Sequence, residues 1–191
     1  TDTTHITLPR DGSGAATFSS TIAAGAATFT TADNTNQLTL VSTDADANAG
    51  PNLNLRRNSA SPADGDLTGQ LTFTNNNDAG EGTDYATMYA VSADVSDGSE
   101  DAAFYIKTMS AGTLRQRISL TDTATVFNED SIDLDFRVES DGDANMLFVD
   151  GGNNRVGVGT NAPNATLEVR CPAGVNQTGT IRIAGSNPNG D

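Results

Sequence analysis

Apolar residues in this chain recur at every second position, the spacing of strands with one covered face. Nowhere do they sustain the i, i+3, i+4, i+7 spacing of an amphipathic helix. Leu38 and Leu40, Leu53 and Leu55, and Leu71 and Phe73 each stand two apart with polar residues between them, which predicts half-buried strands. Residues 44–51 and 59–66 are filled by Asp, Asn, Ser, Pro and Gly, which break regular structure. Three further runs, 85–91, 103–109 and 114–120, are separated by an acidic turn at 94–101 and by Ser110-Ala111-Gly112, and predict an antiparallel meander. On the last run Leu114, Gln116, Ile118 and Leu120 fall on one face and Arg115 and Arg117 on the other.

From Asn128 the runs shorten. Ile132, Leu134 and Phe136 alternate with Asp133, Asp135 and Arg137, a strand with one buried and one charged face. Residues 146–149 are apolar, and Asp150, Gly151, Gly152, Asn153 and Asn154 are types that reverse a chain, so the run from Arg155 should return as the second arm of a hairpin. In that arm Val156 and Val158 point one way and Gly157 and Gly159 the other. Glycine inside a strand marks a bulge or a close backbone approach, and the expectation is that a neighbouring copy's backbone lies there. Residues 166–170 and 180–184 read as two more short strands. Near the start, Ala15-Ala16-Thr17-Phe18-Ser19-Ser20 returns as Ala26-Ala27-Thr28-Phe29-Thr30-Thr31. Such a repeat suits a narrow shaft with one buried ring per copy; chance recurrence in an Ala/Thr-rich stretch is the other reading.

The run Asn153-Asn154-Arg155-Val156-Gly157-Val158-Gly159-Thr160, followed by Pro163 and Ala165-Thr166-Leu167-Glu168-Val169, resembles the N-x-x-G-I-G-T-x-x-P-x-x-x-L-x-V segment common in bacteriophage tail-fibre proteins. Phe127-Asn128-Glu129 and residues 133–142 resemble the same fibres, and residues 41–48 and 57–64 resemble fibre segments of marine phages. The resemblance covers most of the chain from about Leu38, in separate pieces. It implies a trimeric virion protein assembled in the host cytoplasm. In such fibres a self-cleaving chaperone domain often follows this segment.

Composition turns the strand pattern into a question of partners. Leu, Ile, Val and Phe make up 36 of 191 residues, below the roughly one fifth under which a highly charged chain is suspected of disorder. Because the alternation is nonetheless clean, the shortage points to cores shared between copies. A net charge of −15 argues against nucleic acid and against anionic membrane surfaces, which both select basic patches. No apolar run approaches the ~20 residues of a membrane span, and no signal-peptide pattern is present. Cys171 is the sole cysteine, so no internal disulfide forms. The opening at Thr1 and the turn-like ending in Asn187-Pro188-Asn189-Gly190-Asp191 suggest part of a longer polypeptide.

Candidate chemistry is sparse. Asp44, Asp46 and Asn48, and again Asp141, Asp143 and Asn145, imitate the start of a calcium loop. The glycine and the bidentate Glu that should follow are replaced by Ala49 and Leu55 in the first and by Met146 and Gly152 in the second, so Asx-rich turns are the better reading. The pairs Asp133/Asp135 and Glu100/Asp101 could serve a glycosidase. With 25 acids on the chain, close pairs also arise by chance. His5 is the only histidine, and Cys171 has no histidine near it in sequence, which argues against either as ligand, base or nucleophile. The Gly157-x-Gly159 pattern lacks the third glycine and the helix of a phosphate cradle. Tyr85, Tyr89 and Tyr105 could stack on sugar rings, against the alternative of burial in the meander.

The resulting expectation is an all-β, elongated trimeric fibre in three modules: Ala/Thr-rich shaft at 1–36, β-meander at 37–127 and narrow hairpin shaft at 128–191. Its work is structural, spacing or presenting receptor binding, with no catalytic, metal or cofactor residues. Its partners are two further copies, other tail or fibre proteins, and a host-surface glycan as a further candidate. A polysaccharide-cleaving tailspike and a bacterial adhesin are the alternatives.

Overall fold

The computed structural model describes residues 25–48 and 50–170. The first copy of the Ala/Thr repeat, the strand expected at 180–184, His5 and Cys171 lie outside the described residues. The chain divides into two units, residues 1–53 and 54–191.

In the first unit the expected strand at Leu38 and Leu40 does not form: no ladder runs through residues 36–42, and these leucines are 61% and 45% exposed. The Leu53/Leu55 segment, which straddles the division, also lacks a ladder. Alternation gives a segment one apolar edge, but a strand exists only when its backbone N–H and C=O groups meet another strand.

The second unit is all-β among its described residues. Strands β1 (Asp66–Asn76), β2 (Gly82–Asp94), β3 (Asp101–Ser110), β4 (Thr113–Leu120) and β5 (Thr125–Phe127) form one antiparallel sheet in sequence order. The β3–β4 turn places Ala111 at φ 47° and Gly112 at φ 76°, the left-handed pair that matches the twist of a tight hairpin.

Register decides what each face carries. One set of cross-strand rows reads Leu71–Met88–Ile106–Ile118–Phe127 and Gly69–Ala90–Phe104–Leu120–Thr125. The opposite face reads Gln70–Tyr89–Tyr105–Ser119–Val126 and Thr72–Thr87–Lys107–Gln116. The sheet therefore has an apolar face and a mixed polar–aromatic face. This corrects the simple alternation on β4. A register shift between Ile106 and Lys107 leaves Arg117 as an extra residue, so Leu114 and Gln116 share the polar–aromatic face while Ile118 and Leu120 lie on the apolar one. Arg117 Nε donates to Thr108 Oγ1 at 2.6 Å across the bulge.

The connection from β5 is fastened locally. Asn128, at φ 64°, donates its side-chain amide to Ile132 O at 2.8 Å, and Gln116 N donates to Asp130 Oδ2 at 3.0 Å. Of the strand expected over 132–138, only β6 (Phe136–Val138) has a ladder. Residues 132–137 still alternate between half-buried and exposed as the sequence pattern requires. β6 joins β7 (Leu147–Asp150), β8 (Arg155–Val158) and β9 (Leu167–Val169) in a second sheet of that order. The β7–β8 hairpin forms as expected, with Asp150 opposite Arg155, whereas β9 lies parallel to β8. One face of this sheet is apolar throughout, in rows Phe136–Val149–Val156–Leu167, Val138–Leu147 and Val158–Val169. The Phe127 and Phe136 rings, 5.0 Å apart and tilted by 40°, connect the apolar faces of the two sheets.

Candidate functional site

The polar–aromatic face of the first sheet is the one place where the described residues gather groups suited to a ligand. Tyr89 and Tyr105 are cross-strand partners on β2 and β3, with ring centroids 5.1 Å apart at 38°. Lys107, two residues along β3 on the same face, holds its ammonium 5.3 Å from the Tyr89 ring centre, within cation–π range. Gln70 flanks Tyr89 on β1 and donates to Thr72 Oγ1 at 2.6 Å; Thr87 and Gln116 flank Lys107. Tyr89 and Tyr105 are half-buried, and Tyr85, which sits at a register shift in β2, is 42% exposed. The tyrosines are therefore surface residues supported by their neighbours. Ring faces next to amides, hydroxyls and one cation can give a sugar both apolar contact and hydrogen bonds. Sequence reading singled out the tyrosines but missed Lys107, Gln70 and Gln116. Their signal was the strand register, which a single residue's type does not carry.

The carboxylates are engaged in turns. Asp46 Oδ1 accepts from Asn48 N at 2.8 Å and Asp44 Oδ1 from Asp46 N at 3.3 Å. Asp143 Oδ1 accepts from Asn145 N at 2.7 Å. These are Asx turns, in which a short carboxylate satisfies the backbone two residues on. Asp135 Oδ1 accepts from Gly151 N at 3.1 Å, and the Asp133 carboxylate lies so close to Gly152 that a Cβ there would meet it at 2.7 Å. Asp135 thus fastens the β7–β8 turn, and Asp133 packs against its Gly152.

Asp94, Glu100 and Asp101 line an open groove of about 420 Å³ at the β2–β3 end of the first sheet. Hydrogen bonding to Ser96 holds the Asp94 carboxyl below the usual range. Asp33 is lowered to about 2 by its bonds to Thr35 and Thr31. Asp150 is lowered by Asn153, and Glu168 chiefly by the Asn164 backbone N–H. A glycosidase acid needs the opposite displacement, a carboxyl kept protonated near neutrality.

The glycines of the motif have a different role from the one expected. A Cβ on Gly157 would collide with the carbonyl oxygen of Thr160, and one on Gly159, at φ +70°, with the carbonyl oxygen of Arg170. The close backbone belongs to the chain itself, because the connection from β8 to β9 folds back over the strand. Arg155 Nη1 donates to Pro163 O at 2.7 Å, Arg170 N donates to Val158 O at 2.8 Å, and Thr160 is 5% exposed. Gly157 also shares its face with Phe148, its partner on β7, so the aromatic ring and the absent side chain are complementary. No protein-family model, characterised protein or solved structure gives a significant match to the chain.

Proposed function

We propose that the chain is a segment of a bacteriophage tail fibre, a structural virion protein that forms an elongated homotrimer and spaces or presents host-receptor binding. One observation carries the reading. Among the described residues only Ala103, Phe148 and Pro163 are buried apolar side chains, although two sheets form. Sheets without a core of their own draw stability from association, which adds binding free energy to folding. Identical chains close a ring under cyclic symmetry, and three is the number in the fibres that the 153–169 segment resembles. The face bearing Tyr89, Tyr105 and Lys107 is the surface offered to a host glycan.

Sedimentation equilibrium of the chain with its native flanks tests the oligomer. Three chain masses sustain the proposal, and a monodisperse monomer overturns it. Incubation with host-envelope polysaccharide tests the work it does: binding without new reducing ends is expected, whereas released reducing sugars would replace the fibre reading with that of a depolymerase.

A further inference from the structure

Apart from Leu55, which lies over Gly69, the apolar faces of the two sheets have no cover among the described residues of their unit, and on the first sheet the ionisable side chains fall in flanking rows, Phe73–Ala86–Thr108–Arg115 and Asp66–Ser92–Ala102. On the first sheet Phe73 is 56% exposed, Phe127 51%, and Leu71 40%. On the second, Leu167 is 59% exposed, Val138 43% and Val149 36%. The Phe127–Phe136 contact makes the two faces one surface. With Leu55, Phe104 and Leu120 included, and at roughly 150–250 Å² for a fully exposed large side chain, the surface presents about 600–1,000 Å² of accessible area. That starts where the ~300–600 Å² patch of an ordinary monomer ends and brackets the ~800 Å² that each partner contributes to a standard interface.

We infer that this surface is where the chain packs against a second copy of itself, so that the copies meet through the valine face of the second sheet and not its glycine face. Charge selects the occupant. The chain carries 25 acidic residues and a net charge of −15, so two copies repel over most of their surfaces. The central rows of the first sheet's apolar face, through Leu71 and Gly69, contain no ionisable side chain, and neither do the apolar rows of the second. Two copies joined here bury no carboxylate and hold their acidic residues in water, where salt screens them. The inference rests on the self-association proposed above and adds its location.

Adjacent residues on β1 provide the test, since Phe73 faces the surface and Thr72 faces away. Phe73→Glu and Val138→Glu should each weaken association of the full chain by at least about tenfold in sedimentation equilibrium, as a charge forced into an apolar contact does, while Thr72→Glu leaves it unchanged. An oligomer indifferent to Phe73→Glu and Val138→Glu overturns this surface and leaves self-association standing. Equal weakening by all three substitutions also overturns it. A monomeric unmodified chain overturns both readings.

Hydroxyl-radical footprinting of the unmodified protein gives an answer that does not depend on variants folding. Leu67 and Leu71 are each 40% exposed in the single chain but point to opposite faces. Protection of Leu71 with labelling of Leu67 supports the surface, and equal labelling overturns it.

Discussion

The two sheets hold themselves together by different means. In the first, β1, β2 and β3 run for 11, 13 and 10 residues, and the ladder itself supplies most of the constraint. In the second no strand exceeds four residues, so the structure depends on what happens between strands. There Asp135 fastens one turn, Arg155 fastens the loop to Pro163, and Gly157 and Gly159 admit carbonyl oxygens where no side chain fits. A long ladder tolerates an altered turn, whereas a short one depends on individual atoms of the connections.

Glycine substitutions give the largest expected contrast. Gly159→Val adds bulk against the Arg170 carbonyl, where overpacking costs ~1–3 kcal/mol, and forces a branched residue to φ +70°, which costs another ~1–3 kcal/mol. Gly98→Ala, in the β2–β3 turn at φ +85° with nothing within 4 Å, should cost only about 1 kcal/mol. Urea unfolding followed by far-ultraviolet circular dichroism measures both, and equal costs would remove the distinction between the sheets. Because all three tyrosines lie on β2 and β3, tyrosine fluorescence follows the first sheet alone. Its midpoint should move less than the dichroism midpoint in Gly159→Val.

A smaller effect depends on pH. The Asp150 carboxyl is held below its ordinary value of 3.8 by Asn153, so its contribution is complete above that value and fades as pH falls through the lowered one. Asp150→Asn should therefore lower the melting temperature at about pH 7, and the gap to the unmodified chain should close as pH falls through the lowered value. A gap that persists in acid would show that Asp150 acts by shape and not by charge.

Arg57, which pairs with Asp66 at 2.9 Å and donates to Leu67 O at 3.3 Å, guards the outer edge of β1. The pair is partly exposed, so Arg57→Ala should cost ~0.2–1 kcal/mol, read as a small shift in the same urea midpoint. Calcium chelation should change melting least. The Asp44–Asn48 and Asp143–Asn145 carboxylates already serve backbone N–H groups. A large drop reversed by calcium would show that these turns hold a cation.

The sequence made the meander and the β7–β8 hairpin legible because alternation and turn residues agreed there about where each strand begins and ends. It misplaced Leu114 and Gln116 because period-two reasoning assumes an unbroken count, and the extra residue at Arg117 reverses the faces before it. Leu38 and Leu40 misled for another reason: alternation describes a strand's willingness to pair, and pairing also needs a neighbour. Gly157 and Gly159 were rightly marked as a close approach, but residue types cannot say which backbone arrives. The Tyr89–Lys107 cluster was half visible, since it depends on cross-strand partners separated by a turn.

Strand order also has a kinetic consequence. In both sheets each strand bonds to the one made just before it, β1 to β2 through β5 and β6 to β7 through β9. Each hairpin can close on the microsecond scale as soon as its second arm emerges, and no early segment waits for a distant late one. Folding is then a first-order process finished within the nascent chain. In the self-association proposed above, covering the apolar faces would be a collision between folded molecules, whose rate rises with their concentration and would lag behind synthesis when copies are few.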